Sequence, residues 1–187
     1  MNSVKSTIAV AILFTLSGAA KADNKFRLTS PEIKQGHFGN GHLSSAAFGL
    51  GCTGENHSPA LKWEGAPAET KSFMLEIFDQ DAPTGHGWVH WAVVNIPATS
   101  TSLAGGIAQD NKGLPPPAFQ SRTDFGVPGY GGPCPPAGQT HRYIITLKAL
   151  KVAALPDVTA NATPALVGYI ANMNTLATAQ LEVTQGR

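Results

Sequence analysis

Apolar and polar positions alternate with period two in three stretches of the chain, the pattern of a strand with one buried face. In Ser72–Asp81 one face carries Phe73, Leu75 and Ile77, then Asp79 and Asp81. In Trp88–Asn95 one face carries Trp88, His90, Ala92 and Val94. In His141–Lys148 one face carries His141, Tyr143, Ile145 and Leu147, with Arg142, Thr146 and Lys148 on the other. The polar members fall at the C-terminal end of the first strand and at the N-terminal ends of the other two. If the first strand runs antiparallel to the others, two carboxylates and two imidazoles meet at one edge of one core.

The remaining elements are shorter. Phe26–Thr29 and Ala60–Trp63 predict strands, Phe38–Phe48 short strands and loops, and Thr178–Val183 a closing strand. Thr163–Met173 predicts the one helix: a Thr cap, Pro164 at the first position, and apolar residues at 166, 167, 170 and 173. Gly49–Pro59 is a loop by composition, and within it Asn56-His57-Ser58 matches a glycosylation sequon. Its Asn and Ser read as turn formers that satisfy local backbone. Pro97–Gln139 holds about forty Gly-, Pro- and polar-rich residues, and loops this long within one domain are usually functional.

Residues 1–22 change the picture of what is mature protein. Lys5, the apolar run Ile8–Leu16 and Ala20-Lys21-Ala22 make a secretory signal with an A-x-A cleavage site, too short to span a bilayer. This predicts a periplasmic or secreted protein with one domain at 23–187. Removing the signal takes away Lys5 and Lys21 and no acid, so the formal charge falls from +1 to about −1. Nothing here resembles a basic patch for nucleic acid, and no other apolar run is long enough to cross a membrane. With 20 Gly, 14 Pro and 13% charged residues, the composition favours a loop-rich β protein. The two cysteines, Cys52 and Cys134, enter an oxidising compartment, so a disulfide between them is expected, with two buried thiols as the alternative.

Asp79 and Asp81 lie about 7 Å apart along a strand, so a cationic partner or a shared proton is needed; His90 and His141 are available. Gly129-Tyr130-Gly131-Gly132-Pro133-Cys134-Pro135-Pro136 is glycine-rich and then proline-stiffened, suited to bringing backbone N–H groups against a ligand. No H-E-x-x-H, no G-x-S-x-G and no nucleophile beside a base is present, so no catalytic or metal residues are assigned, and no cofactor is expected. The Ala82–Pro83 bond, in a tight connection beside these residues, is expected to be cis.

Five motifs then fall in a familiar order: Asp79-Gln80-Asp81-Ala82-Pro83, Gly87-Trp88-Val89-His90-Trp91 with Val94-Asn95-Ile96-Pro97, Asp124-Phe125-Gly126, Gly131 to Pro136, and His141-Arg142-Tyr143. In this order the chain resembles the phosphatidylethanolamine-binding protein family, in its bacterial, Raf-kinase-inhibitor-like branch, over nearly the whole mature length. The resemblance implies a mainly β, single-domain Greek-key β-sandwich with a few peripheral helices and a small pocket for phosphate-type anions. It also points to a cis Ala82–Pro83. Pocket positions carried over are Asp79, Asp81, Pro83, Trp88, His90, Tyr130, Gly132, His141 and Tyr143. His86 would add a cation at the mouth, and Gln80 stands where the family usually has proline.

These observations lead to an exported, non-enzymatic binding protein for a phosphate-type anion or phospholipid headgroup. The alternatives are a protein that docks on and modulates another protein, such as a protease or host signalling component, and a metal-dependent hydrolase. Self-association as a homodimer stays open. If the histidines bind the anion, affinity should rise between about pH 8 and 6, where free imidazoles gain charge.

Overall fold

The β-branched and aromatic runs become the two sheets of a computed structural model that describes residues 26–187. The expected signal segment 1–22 lies outside the described residues. A large antiparallel sheet has the order β6-β4-β3-β7-β8, built from β3 (Ser72–Asp79), β4 (Trp88–Pro97), β6 (Phe119–Gln120), β7 (Thr140–Leu150) and β8 (Thr175–Gly186). A small one has the order β1-β2-β5, from β1 (Arg27–Thr29), β2 (Leu61–Glu64) and β5 (Ser102–Leu103). The structure is thus a single, mainly β domain with two sheets and few helices.

Two cores sit on the two faces of the large sheet. Between the sheets, Leu28, Leu61, Trp63 and Leu103 pack on Phe73, Leu75, Ile77, Trp91, Val93, Tyr143, Ile145 and Leu147. On the opposite face, Met74, Val94 and Leu150 pack under α1 (Pro164–Asn174) through Val167 and Ala171. Thr163 caps that helix as expected, its Oγ1 accepting from Leu166 N at 3.2 Å. The buried face matches the expected one in part: Val167 is buried and Ile170 packs against this core, whereas Leu166 and Met173 are exposed and Ala171 is inward. A run apolar on more than one side leaves the choice of face to the sheet beneath it.

β3 and β7 keep strict alternation, but β4 does not. Ile77 pairs with Trp91 and Phe78 with Val89, so His90 is an extra residue opposite a single step of β3. This bulge places Trp91 and Val93 in the inter-sheet core. The expected face of Trp88, His90, Ala92 and Val94 is therefore broken, and Val94 belongs to the other core. A second irregularity lies between the Phe73 and Leu75 pairs, at the level of Asn95, whose φ is 57°. Bulges of this kind re-aim side chains.

The Pro97–Gln139 stretch is mostly loop but contains β5 and β6, two-residue strands too short to show a period. Asn56 and Ser58 satisfy backbone, but backbone far away in sequence rather than the local turn expected of them. Asn56 Nδ2 donates to Tyr130 O, Asn56 Oδ1 accepts from Gly132 N, and Ser58 Oγ accepts from Ile107 N. The cis peptide bond among the described residues is Pro116–Pro117, so the expectation for Ala82–Pro83 is corrected. Its connection turns instead through Thr84 N donating to Ala82 O, and through left-handed Gly85 and Gly87. At Gly87 a Cβ would also lie 2.1 Å from the Phe78 ring.

Candidate functional site

β3 runs antiparallel to both β4 and β7, which brings their polar ends to one edge of the large sheet. Asp79 lies between Trp88 on β4 and Tyr143 on β7, its pairing partners on either side. Above this row opens a cavity of about 460 Å³. Asp79, Pro83, Trp88, His90, His141 and Tyr143 line it, together with Asp124 and apolar groups from Phe48, Leu50, Phe125, Pro135 and Pro136.

The charged residues are mostly spoken for. His141 Nδ1 donates to Asp79 Oδ2 at 2.7 Å, and both side chains are about 95% buried. Asp79 Oδ1 accepts from Asp81 N at 2.9 Å, closing a turn that ends the strand. His141 Nε2 lies 2.9 Å from the Gln139 amide oxygen.

Asp81 leaves the face predicted for it. The turn at Asp79 breaks the alternation, and Asp81 forms a bidentate pair with Arg142 at 2.9 and 2.7 Å. Those side-chain hydrogen bonds hold its carboxyl down at about 2. Its charge is thus compensated outside the cavity.

His90, carried by the bulge, donates from Nδ1 to Gly131 O at 2.6 Å. The ring packs edge-on against Phe125 and Tyr143, with centroids 5.5 and 5.2 Å away. Burial lowers its pKa below the ordinary imidazole value, against the opposing pull of the Gly131 carbonyl and Asp79. The Nδ1 proton is engaged, so only Nε2 can meet a ligand. It donates only when the ring gains a second proton.

Two donors on cavity-lining residues have no partner in hydrogen-bonding geometry among the described residues: the Tyr143 hydroxyl, which has the Asp79 carboxylate nearby, and Trp88 Nε1. Tyr143 is fully buried, and burial first, then Asp79, pushes its ionisation upward. Buried polar groups in native proteins are rarely left unpaired, and each such case asks for an explanation.

Tyr130 and Gly132 stand behind the cavity. The Tyr130 hydroxyl donates to His42 O at 2.8 Å. Gly131 N donates to His90 O and Gly132 N to Asn56 Oδ1, so neither amide is free to cradle an anion. Gly132 is required for loop contact instead, since a Cβ there would lie 2.4 Å from His42 O. His86 is exposed and borders a groove on the other face of the sheet, not this mouth.

Cys52 and Cys134 form a disulfide that ties the 49–53 loop to the 133–136 loop, and Cys134 itself lines the cavity. Among the described residues no three His, Cys, Asp or Glu side chains converge as metal ligands, and no helix is long and apolar enough to cross a membrane. Residue-type reasoning underweighted Phe48, Leu50 and Gln139. Apolar residues in a loop carry no signal until folding shows what they wall in.

A family model described as phosphatidylethanolamine-binding protein matches residues 34–186. Escherichia coli YbcL, a UPF0098 protein, is 46% identical over 95% of this chain and 94% of its own. Its crystal structure is described as that of a new member of the mammalian PEBP family. It superposes with a TM-score of 0.82, covering 87% of this chain and 99% of that one. A Chlamydia trachomatis homologue, CT736, gives a TM-score of 0.72 at 30% identity, covering 88% and 99%.

Proposed function

The chain belongs to the phosphatidylethanolamine-binding protein family, and from that premise we propose that it is an exported binding protein whose cavity takes a phosphate-type anion or a phospholipid headgroup. The carrying observation is the pair of donors without partners, Tyr143 Oη and Trp88 Nε1, on residues that line the cavity with His90, whose Nε2 is left unbonded. A phosphate oxygen is an acceptor of the kind they lack. Asp79 and Asp81 do not oppose an anion, being paired with His141 and Arg142. Among the described residues Asp124 is the lining carboxylate without a cationic partner, and an ethanolamine ammonium would suit it. Apolar walls fit the organic part of such a ligand better than bare phosphate.

Tyr143→Phe tests this reading directly. Deleting a donor to a charged acceptor should weaken phosphoethanolamine binding by about ten- to a hundredfold, corresponding to 1.5–3 kcal/mol. The thermal midpoint should hold or rise, because the wild-type hydroxyl is buried without a partner. Calorimetric titration and thermal melting of the two proteins measure both. Unchanged affinity counts against the pocket as an anion site.

His90 sets the pH dependence. Its folded-state pKa is depressed, so as pH falls below about 6.5 the unfolded chain takes up the proton first, and the native state loses stability. A bound anion stabilises the imidazolium and opposes that loss. Anion affinity should therefore keep rising below about pH 6.5, lower than an exposed histidine would place the window. Sulfate, whose charge is fixed there, is the probe that separates protein titration from ligand titration. A flat sulfate profile, or one unchanged in His90→Ala, would show that the ring is only structural.

A further inference from the structure

The other face of the large sheet carries a second opening that the anion reading does not use. It is a groove of about 610 Å³, between β3, β4, the 122–126 loop and the start of α1. Its floor and rim include Phe78, Val89, Pro164 and Ala165, which are apolar. Charged groups of both signs face it without an ion-pair partner among the described residues. Glu76 lies mid-strand in the central β3, and burial raises its pKa despite the opposing influence of Lys148. It makes no side-chain hydrogen bond among the described residues, and Lys148 Nζ turns away to Asn172 Oδ1. Arg122, which also lines the groove, uses its backbone N–H for Ala160 O, while its guanidinium joins no carboxylate among the described residues. Ion pairs in the described residues join Glu32 to His42, Glu55 to His57, Asp79 to His141 and Asp81 to Arg142.

A carboxylate and a guanidinium that share a partly desolvated groove normally close on one another, because an unpaired buried charge is costly. Here they stand beyond ion-pair distance with space between them. We propose that this groove is a second small-molecule site, for a zwitterion of the apolar α-amino acid type. Its ammonium would meet Glu76 and its carboxylate would meet Arg122 in a bidentate pair, while its side chain covers Phe78 and Val89. Asp124 borders both cavities and adds a second negative group on the ammonium side. Neither half of the ligand alone satisfies both protein charges, so the zwitterion should bind better than either half. This site is separate from the anion cavity, since Glu76 and Phe78 alternate to the sheet face opposite Ile77 and Asp79.

The test is a backbone-amide NMR titration of the disulfide-intact mature protein with L-leucine, isopentylamine and isovalerate at about 10 mM, enough to occupy most of a 1 mM site. L-leucine is expected to shift amides at 76–78, 122–126 and 163–165 and to leave 139–143 unmoved. Each half-ligand should bind at least about tenfold more weakly, the loss of one charge-assisted contact. Glu76→Gln and Arg122→Gln should each reduce leucine affinity about tenfold or more, with inorganic phosphate shifts at 139–143 unchanged. The idea is overturned if leucine moves no groove amide, if either half binds as well, or if Arg122→Gln binds normally. Phosphate shifts near 141 report the anion cavity separately, so failure of one site is distinguishable from failure of the other.

Discussion

Asp79→Ala is expected to lower the unfolding free energy by about 3–5 kcal/mol, the range for removing one partner of a buried ion pair. A fall of about 10 °C in thermal midpoint follows for a domain of this size. The cause is what the substitution leaves behind. His141 would keep a buried Nδ1 donor with no acceptor, and Asp81 N would lose the carboxylate that ends β3. Phosphoethanolamine affinity should fall too, since the imidazole at the cavity floor loses its orienting group. Asp79→Asn, which keeps an acceptor for Nδ1, should recover much of the stability. Differential scanning calorimetry of the three proteins decides it, and an unchanged midpoint in Asp79→Ala would mean the pair contributes nothing.

Loss of the Cys52–Cys134 disulfide should have an effect of similar size. The bridge spans 82 positions, and the chain-entropy model assigns such a loop about 4.5 kcal/mol, an upper value because native strain reduces it. The Cys52→Ala/Cys134→Ala protein should unfold at lower denaturant with its folded spectrum retained. Binding should weaken as well. Leu50, Pro135 and Pro136 form one wall of the anion cavity, and the bridge joins the loops that carry them. Thiol labelling of the denatured, unreduced wild type should find no free cysteine; two labelled cysteines per chain would contradict the bridge.

The strands β3 and β7 were legible because their alternation is unbroken, and the helix because Thr163 and Pro164 mark its start chemically. β4 was legible as a strand but not in its facing. A bulge inserts one residue without altering composition, and only pairing with Ile77 and Phe78 reveals that His90 is the extra one. The same limit applies to Asp81. Period two places it beside Asp79, but the side chain of Asp79 captures the Asp81 amide and turns the chain out toward Arg142. Gly131 and Gly132 looked like anion donors because glycine permits close backbone approach. The approach is real, but its object is the protein's own His90 and Asn56.

The sequence by itself determined the class of the protein: strand periods, the ends at which polar groups fall, the cysteine pair, and a motif order that identifies the family. These are local or additive properties, written in residue type and spacing. Tertiary structure decided which donors remain unsatisfied, which carboxylates are neutralised, and which face of the helix is buried. Those depend on who stands opposite whom across strands tens of residues apart, as with Asp79 and His141. An unpaired Tyr143 hydroxyl, or a Glu76 that never reaches Arg122, exists only as a relation between separated residues, and no pattern along the chain encodes it.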